Sequence, residues 1–375
     1  MKTCGINAQL ITAEASYRRA GIHVYLLEVL RNLPDDKSIE YKVFSSGPLH
    51  QCINRPIKWE QTNSLTANPI GRILWEQFVW PIRARRLGCQ LLHGAAFALP
   101  LLSRLPAIVT IFDLSFLHYP HLYPSWRRRY LTFITRQSCR KANHIITISN
   151  SGKQDLINFF GIKAEKISVV YPGLNQKFKR PEESLITAYR ENKRLPSRFL
   201  LHVGTLQPRK NLPFLIRAFH RAHLTNVNLV FAGGKGWYYD EIFRLVKELN
   251  LEQRVHFLGY IDDEELPLLY AAADLLVFPS IYEGFGMPIL ESMGCGTPVL
   301  ASNASAMPEA VGNAGLLFNP TDLDDLTAKM IQLIENPAEL KHFQTVAPDH
   351  AATFSWQKAG EQTSEIYKKV LKYDS

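Results

Sequence analysis

Residues Phe278 to Leu300 read FPSIYEGFGMPILESMGCGTPVL, and this stretch decides the expected fold. An apolar strand ends, a glycine-rich turn follows, and a helix begins at Pro288, where the missing proline N–H would lack a helical partner anyway. The two glycines have no side chain, so a phosphate can approach the backbone at the helix N-terminus. The stretch therefore predicts an anion site. The free amides that would form it belong to Gly284, Phe285, Gly286 and Met287.

Two glutamates bracket this predicted anion site, because Glu283 precedes the turn and Glu291 lies on the first helical turn. Carboxylates accept hydrogen bonds from vicinal hydroxyls, of which a nucleotide sugar has two sets. Taken alone, two glutamates at this spacing also fit a pair of solvated acids. Beside the turn GFGMP, they predict a site for a sugar nucleotide.

A second cluster, GTLQPRKNL from Gly204 to Leu212, follows the apolar strand Phe199 to Val203. A diphosphate leaving group needs fixed cations to hold its developing charge, and Arg209 and Lys210 can supply them from a loop after a strand. A surface basic pair before a helix is the alternative interpretation. The neighbouring anion site favours the diphosphate clamp.

Short apolar runs rich in β-branched residues alternate with segments of helical period along most of the chain. This pattern is typical of parallel α/β architecture and predicts two doubly wound sheets, with a ligand between the carboxyl ends of their strands. The predicted strands are Lys2 to Ala8, Tyr41 to Ser45, Leu91 to His93, Ala107 to Phe112, His144 to Ile148, Ile167 to Val170, Arg198 to Gly204, Val227 to Ala232, Arg254 to Leu258, Leu275 to Phe278 and Pro298 to Ala301.

The boundary between the two sets of strands is marked by Pro, Gly and charged residues from Tyr171 to Pro181, where we expect a hinge. We predict one domain over residues 1–172 and a second over residues 173–354. Residues 355–375 are expected to form a final helix that packs back on the first domain.

Charge is divided unevenly between the two halves of the chain. Residues 1–180 contain 25 Lys and Arg against 10 Asp and Glu, a balance of +15, whereas residues 181–375 contain 18 against 24, a balance of −6. The basic half is expected to meet an anionic surface, substrate or polymer. The basic residues form no helix-turn-helix, zinc-finger or RNA-binding signature, so nucleic acid is not expected as a partner.

Residues 126–141, WRRRYLTFITRQSCRK, combine apolar positions at helical spacing with many basic residues. Such a helix fits either an anionic lipid surface or packing on the protein's own sheet with a solvated basic face. The N-terminus lacks the apolar core of a signal peptide, no stretch is long enough to span a membrane, and the five scattered cysteines show no metal spacing. A cytoplasmic protein is expected, with or without peripheral contact at the inner membrane face.

Five segments occur in the order found in one known family: VGTLQPRKNL, AGGKGW, RVHFLGYIDDEELPLLYAAADLLVFPS, YEGFGMPILESMGCGTPVLAS and MPEAVGNAGLLFNP. Together they resemble the C-terminal half of a family 4 glycosyltransferase of group 1, of the mannosyltransferase-like type. The resemblance is dense over residues 199–320. It implies a GT-B fold, in which two Rossmann-like domains face each other across a cleft. It also implies retaining transfer of a hexose from a UDP-glucose or GDP-mannose type donor, with no metal or other cofactor.

The acceptor expected from this resemblance is a glycan or a polyprenyl-diphosphate-linked saccharide, in the biosynthesis of a surface polysaccharide. Domain 1–172 would then be the acceptor side, and domain 173–354 would bind the nucleotide sugar. The alternative is a nucleotide-sugar-binding protein that has lost catalysis.

The roles of four charged residues follow from the resemblance. Arg209 and Lys210 would grip the diphosphate. Glu291 would hold the ribose hydroxyls, and Glu283 would contact the transferred sugar. In a retaining mechanism without a positioned nucleophile, the departing phosphate takes the proton of the acceptor hydroxyl, and the protein contributes orientation and charge stabilisation.

The rest of the donor site is assigned in the same way. By the resemblance, the amides from Phe285 to Pro288 surround the sugar and the phosphates. Residues near Val255 to Tyr260 flank the base, and Phe257 and Leu258 are assigned to this group. Gly204, which opens the GTLQPRKNL loop, is also assigned to the donor site.

The N-terminal half resembles the family more loosely, through AGIHVY after the first strand, LH at Leu92 and His93, and SNS after HIITI. Gly21 would face the donor phosphates or cap a helix. Relatives commonly carry a histidine before Asp113, whereas this chain has Phe112, which can neither donate a hydrogen bond nor relay a proton. His118 and His93 are candidate substitutes. Asp113 would face the acceptor hydroxyl or cap its loop.

Overall fold

The computed structural model describes residues 1–11, 21–47, 53, 55, 57–62, 66, 68–236 and 239–373. The chain divides into two compact units: unit 1 is Met1–Gly173 with Trp356–Ser375, and unit 2 is Leu174–Ser355. Each unit contains one sheet with helices around it, and the strand pairings found in the described residues are all parallel. The expectation of α/β architecture with two doubly wound sheets is confirmed.

Unit 1 contains a seven-stranded sheet: β1 (Lys2–Asn7), β2 (Ile39–Ser45), β3 (Lys58–Gln61), β4 (Leu91–Gly94), β5 (Ala107–Ile111), β6 (His144–Thr147) and β7 (Ile167–Val169). The strand order is β3-β2-β1-β4-β5-β6-β7, so the order reverses between β1 and β4. The strands β4, β5 and β6 are buried along their whole length, as expected of parallel strands covered on both faces.

One helix of unit 1, Asn150–Phe160, begins and ends at residues suited to those positions. The Ser149 side chain accepts a hydrogen bond from the Gly152 amide at 3.0 Å at the start of the sixth helix, and Gly161, with φ 66°, ends that helix. The first six helices are α1 (Gly21–Asn32), α2 (Pro69–Leu74), α3 (Trp80–Arg86), α4 (Ser115–His118), α5 (Ser125–Lys141) and α6 (Asn150–Phe160). A π-helical turn over Trp75–Val79 joins α2 to α3.

Unit 2 contains a six-stranded sheet: β8 (Phe199–Val203), β9 (Asn228–Ala232), β10 (Val255–Gly259), β11 (Leu275–Phe278), β12 (Val299–Ser302) and β13 (Leu316–Phe318). Its order is β10-β9-β8-β11-β12-β13, so the switch point lies between β8 and β11. Ligands of open α/β sheets bind beyond the carboxyl ends of strands at such a point. The helices are α7 (Glu183–Lys193), α8 (Leu212–Ala222), α9 (Asp240–Glu248), α10 (Leu266–Ala272), α11 (Met287–Gly294), α12 (Met307–Val311), α13 (Leu323–Glu335) and α14 (Pro337–Ala352).

The last helix, α15 (Trp356–Tyr373), belongs to unit 1 and packs along α1. A Cβ atom added at Gly360 would lie 2.1 Å from the carbonyl oxygen of Asn32, so only glycine allows this close approach. Trp356 packs edge-on against Tyr25, with ring centroids 5.7 Å apart. The chain therefore leaves unit 1 after β7, forms unit 2, and returns to unit 1 through α15.

Two strands were not predicted from the sequence, and both lie at sheet edges. The strand β3, KWEQ, is polar and only partly buried, so it lacks the apolar run that indicates a strand. The strand β13 has only three residues, two of them partly buried. The predicted helix start at Pro288 is one residue late, because α11 begins at Met287.

Some expectations concern positions that the structure describes only in part. Cys4, Cys89, Cys139 and Cys295 are free, buried thiols, whereas Cys52 lies outside the described residues. Ala20 and Trp237, at the ends of two family-like segments, also lie outside them. Across the described ranges, no helix is both long enough and apolar enough to cross a bilayer.

Candidate active site

The glycine-rich turn connects β11 to α11, beside the switch point of unit 2. Gly286 adopts φ 101°, a conformation that other residues rarely adopt, and Met287 follows as the first helical residue. The first amides of a helix have no intrahelical acceptor, so this turn can present donors to an anion. Pro288 has no N–H and cannot be one of these donors. The prediction that an amide of Pro288 helps to surround the sugar and the phosphates is therefore wrong. Pro288 instead lies in the first turn of the helix.

The Phe285 side chain points into unit 2. It is 2% exposed and packs edge-on against Phe354, with ring centroids 5.4 Å apart. The aromatic ring therefore holds the turn against the interior of unit 2 and is not itself exposed to a ligand.

The loops that follow β8 and β11 meet through both backbone and side chains. The Ile281 amide donates to the Arg209 carbonyl at 3.0 Å, and Arg209 Nη1 donates to the Tyr282 carbonyl at 2.8 Å. Glu283 accepts from both cations of the first loop: Oε2 lies 2.8 Å from Arg209 Nη1, and Oε1 lies 2.6 Å from Lys210 Nζ. The structure thus joins three predicted site residues in one ion triad, which the sequence analysis had treated as separate contacts.

The triad keeps its charges although it is largely buried. Burial by itself would raise the pKa of Glu283, but the positive charges of Arg209 and Lys210 outweigh it and bring that pKa to about 2. Burial lowers the pKa of Lys210, and the adjacent Glu283 opposes this change. Glu283 is therefore a carboxylate at neutral pH, so it can accept hydrogen bonds but cannot act as a general acid.

Gly204 leaves room for the lysine of the triad. A Cβ atom at Gly204 would lie 3.2 Å from Lys210 Cε and 3.3 Å from His202 Nε2, and the backbone there has φ 153°. Lys210 Nζ also lies 4.8 Å above the centroid of the Phe278 ring. The predicted place of Gly204 beside the diphosphate clamp is thus a close approach that only glycine tolerates without displacing the lysine.

His202 is a further residue of this cluster, which the sequence analysis missed. Its ring stacks on Phe278, and Nδ1 donates to the Val277 carbonyl at 3.2 Å. The ring is completely buried, and burial, with the nearby Lys210 charge, lowers its pKa to about 3. Nε2 is therefore an acceptor, and it has no hydrogen-bond partner among the described residues. The signal in the sequence was a lone histidine in the apolar strand FLLHV, directly before Gly204.

Glu291 lies apart from the ion triad, on α11. It is the fifth residue of that helix, just past the first turn where it was expected. The Tyr270 hydroxyl donates to Glu291 Oε2 at 2.8 Å. Burial raises the pKa of Glu291 to about 7, and the Tyr270 hydrogen bond works in the opposite direction. This carboxyl therefore changes its charge near neutral pH.

The residues predicted to flank a base lie on and after β10. Phe257 stacks on Phe231, with ring centroids 5.2 Å apart, and packs against Phe243 at 4.5 Å, so its ring belongs to the core of unit 2. Leu258 is partly buried, and the strand shifts register before Gly259, which has φ 73°. The assignment of Phe257 and Leu258 to the base of the donor stays a prediction.

Two family models match the chain: "Glycosyltransferase Family 4" over residues 19–178 and "Glycosyl transferases group 1" over residues 187–349. The O-antigen chain mannosyltransferase B of Escherichia coli is 31% identical over an alignment of 381 residues, which covers 95% of this chain and 98% of that protein. The chain belongs to the family 4 glycosyltransferases.

Other glycosyltransferases agree with this assignment. The MMP alpha-(1->4)-mannosyltransferase of Mycolicibacterium hassiacum is 31% identical over 66% of this chain and 60% of its own length. The structure of Anabaena Alr3699/HepE in complex with UDP and glucose superposes with a TM-score of 0.76 at 21% identity, covering 98% and 100% of the two chains. WaaG, a glycosyltransferase involved in lipopolysaccharide biosynthesis, gives 0.73 at 17% identity, covering 97% and 99%. The expected GT-B fold class is confirmed.

In unit 1 of this glycosyltransferase, Asp113 is held by its own loop. Its Oδ1 accepts from the Ser115 amide at 2.9 Å and from the Ser115 hydroxyl at 2.6 Å, where α4 begins. His118 Nε2 lies 2.9 Å from Asp155 Oδ2, and its ring packs edge-on against Phe159. Each predicted catalytic residue therefore has a defined orientation, but the structure does not bring the two into contact with each other.

Phe112 fills a packing position at the place where the family resemblance leads one to expect a histidine. It is buried, and it packs edge-on against Tyr25 at 5.3 Å and against Phe97 at 6.1 Å. His93 is also buried, with Nδ1 2.7 Å from the Tyr367 hydroxyl and Nε2 2.8 Å from the Thr110 hydroxyl. Both ring nitrogens of His93 are thus engaged within unit 1, so His93 does not substitute for the family histidine.

Gly21 is the first residue of α1. It is exposed, and a Cβ atom added there would meet nothing within 4 Å. Gly21 is thus a helical residue rather than the cap that was the alternative, and its place beside the donor phosphates stays a prediction. The preceding residues 12–20 lie outside the described part of the chain.

Proposed function

We propose that this glycosyltransferase transfers mannose from a GDP-mannose type donor to a glycan or lipid-linked saccharide during assembly of a surface polysaccharide. The observation that carries this proposal is the Glu283, Arg209 and Lys210 triad beside the N-terminus of α11. Its cations suit a diphosphate and its carboxylate suits a sugar hydroxyl. The choice of mannose rests on the full-length similarity to an O-antigen chain mannosyltransferase.

The chemistry follows from what these side chains can do at neutral pH. Arg209 and Lys210 stabilise charge that grows on the departing diphosphate, which removes the need for a metal ion in this account. Glu283 remains ionised and orients the transferred sugar through its hydroxyls. The departing phosphate then takes the proton of the acceptor hydroxyl on the same face, so the anomeric configuration is retained.

The nucleoside half of the donor is assigned to neighbouring groups of unit 2. Glu291, oriented by Tyr270, accepts hydrogen bonds from the ribose hydroxyls. The amides of Gly284 to Met287 surround the phosphates, and Leu258 with the backbone of β10 flanks the base. His202 Nε2 faces the same cluster as an acceptor without a protein partner in the described residues.

The acceptor is assigned to unit 1. Asp113, fixed by Ser115, is placed to accept a hydrogen bond from an acceptor hydroxyl, and His118, paired with Asp155, belongs to the same side. Unit 1 contains 26 Lys and Arg against 13 Asp and Glu, a balance of +13, which suits an anionic polyprenyl-diphosphate-linked acceptor. Arg127, Arg128 and Arg129 on α5 would attract an anionic membrane surface, each contributing about 1 kcal/mol. The enzyme would then work at the inner face of the membrane.

The test is transfer by the purified full-length chain from a panel of labelled UDP and GDP sugars to lipid-linked saccharides. We expect GDP-mannose to be consumed, the product linkage to keep the donor's α configuration by NMR, and a chelator to leave the rate unchanged. Tight donor binding without transfer to any acceptor would instead identify a nucleotide-sugar-binding protein that has lost catalysis.

A further inference from the structure

Large apolar side chains are exposed in a row on one helical stretch of unit 1, Pro69–Arg86. This stretch consists of α2, the π-helical turn and α3. The exposed fractions run from 53% at Leu74 and Phe78 to 72% at Ile70. The members of this apolar row are Ile70, Leu74, Phe78 and Ile82, and Val79 beside Phe78 is also exposed.

The π-helical turn keeps the apolar row on one side of the stretch. One turn of an α-helix takes slightly fewer than four residues, so side chains four residues apart drift forward around the helix. One turn of a π-helix takes more than four residues, because its hydrogen bonds span five residues, so the same spacing drifts backward. In this turn, the Trp80 amide donates to the Trp75 carbonyl. The two kinds of turn offset each other, so a spacing of four residues continues in line from α2 through α3.

The opposite side of the stretch is anchored in the core of unit 1. Trp75 and Trp80 stack at 6.3 Å with their planes 14° apart, and Trp80 and Ala84 are fully buried. Pro69 begins the stretch, and the Asn68 side chain caps it by accepting from the Gly71 amide. From Trp75 onward, the apolar row is thus the outward face of a helix whose opposite face is buried, whereas α2 has no buried residue.

Neighbouring elements extend this apolar surface. The Gln77 side chain bonds to the Leu99 carbonyl and the Leu101 amide, which holds the exposed Leu102 next to the helix. The helix α5 contacts the same loop, because the Leu99 amide donates to the Ser138 hydroxyl of α5 at 2.8 Å. The exposed apolar residues of α5 are Trp126 and Phe133.

The helical stretch Pro69–Arg86 and α5 both expose arginines and expose no acidic residue. Arg85 and Arg86 are exposed at the end of α3, and Arg127 and Arg129 are exposed on α5. Neither Pro69–Arg86 nor α5 has an acidic residue other than Glu76, which is buried. This combination complements an anionic bilayer. A second copy of the chain is a poorer occupant, because a symmetric interface would bring arginines against arginines.

We propose that the apolar row inserts into the boundary between headgroups and acyl chains of a bilayer that contains anionic lipid. The flanking arginines would contact lipid phosphates, as in interfacial amphipathic helices. This goes beyond the electrostatic contact of Arg127, Arg128 and Arg129, because an inserted apolar row holds the protein when salt screens the arginines. The inference rests on the proposed function in one respect: membrane insertion would give the enzyme access to a lipid-linked acceptor.

The test is flotation of the full-length chain with phosphatidylcholine vesicles that contain phosphatidylglycerol, at about 0.1 M and about 1 M salt, where screening lengths are about 10 Å and about 3 Å. We expect wild type to retain a bound fraction at the higher salt. The double variant Phe78→Ser, Ile82→Ser should lose at least about tenfold in partitioning at both salts, equivalent to about 1.4 kcal/mol. The double variant Ile70→Ser, Leu74→Ser tests the same prediction independently at the other end of the apolar row.

The matched control is Leu185→Ser, which removes a side chain of similar exposure, 55%, from α7 of unit 2. It should bind vesicles like wild type. Tryptophan introduced as Phe78→Trp should be quenched by brominated lipid more strongly than wild type, and Leu185→Trp should show no such increase. Transfer to a water-soluble acceptor should be unchanged in the serine variants, so failed transfer by wild type would count against the proposed function alone.

Three results would overturn insertion. The first is that wild type leaves the vesicles completely at the higher salt, and the second is that both serine pairs float like wild type. The third is that wild type sediments as a dimer without lipid and the serine pairs sediment as monomers. The apolar row would then be a contact between copies of the chain.

Discussion

In unit 2, the loops after β8 and β11 bring Arg209, Lys210 and Glu283 within hydrogen-bonding distance at one point. In unit 1, the polar groups near the ends of β4 and β5 are held by the unit itself, with His93 between two hydroxyls and Asp113 capping its loop. Both units have the same type of parallel sheet. The difference supports the proposal that unit 2 carries the donor chemistry, whereas many polar contacts of unit 1 maintain its structure.

The largest expected effect on the transfer rate comes from removing a cation of the triad in unit 2. Lys210→Ala or Arg209→Ala removes a charge placed where the leaving group develops its own, so transfer should fall by about 10²–10³, or about 2–4 kcal/mol. Lys329→Ala is the control, because Lys329 pairs with Asp325 in the same unit but away from the triad. Steady-state rates on folded variants, checked by circular dichroism, give the comparison. Wild-type turnover in both site variants would refute the diphosphate assignment.

A contact inside unit 1 should affect stability rather than rate. Tyr367→Phe removes the hydroxyl that bonds His93 Nδ1 and leaves a buried nitrogen unpaired, so urea unfolding should show a loss of about 1–3 kcal/mol. Transfer under native conditions should stay near the wild-type rate. A tenfold loss of rate with unchanged stability would mean that this network serves chemistry, contrary to the contrast drawn here.

A smaller effect is expected from pH at Glu291. Its pKa of about 7 lies above the ordinary range for glutamate, so the free protein carries this carboxyl partly protonated at neutral pH. Ribose hydroxyls prefer the carboxylate, so GDP affinity should weaken as pH falls below about 7, by up to about tenfold per unit. Calorimetry across pH measures this, and Glu291→Gln should remove the dependence. The same slope in both proteins would exclude Glu291 as its source.

The sequence predicts those parts of the fold and site that depend on local pattern. The turn GFGMP, the cations of GTLQPRKNL and the buried strands each have a sequence signal that acts over a few residues. The edge strand β3 has none, because its residues are polar and its pairing with β2 depends on tertiary context. The ion triad and His202 also require the switch point, which places residues some 70 positions apart side by side.

The apolar row on Pro69–Arg86 was hidden for a different reason. A spacing of four residues drifts around an ordinary α-helix, so the row appears in line only when the π-helical turn is known. At the position of the family histidine, by contrast, the sequence showed the unusual residue but not its surroundings. Phe112 was noticed in the sequence, but its packing between Tyr25 and Phe97 is visible only in the structure.

The central claim, that Glu283 orients the sugar while its two cations hold the diphosphate, is tested most directly by calorimetry of Glu283→Gln with GDP and with GDP-mannose. This substitution keeps the shape of the side chain and removes the charge that pairs with Arg209 and Lys210. We predict that GDP binding is unchanged or tighter, because the cations are released from Glu283. The affinity for GDP-mannose relative to that for GDP should be about tenfold lower in the variant than in wild type, a loss of about 1.4 kcal/mol. Equal losses for the two ligands would contradict the account.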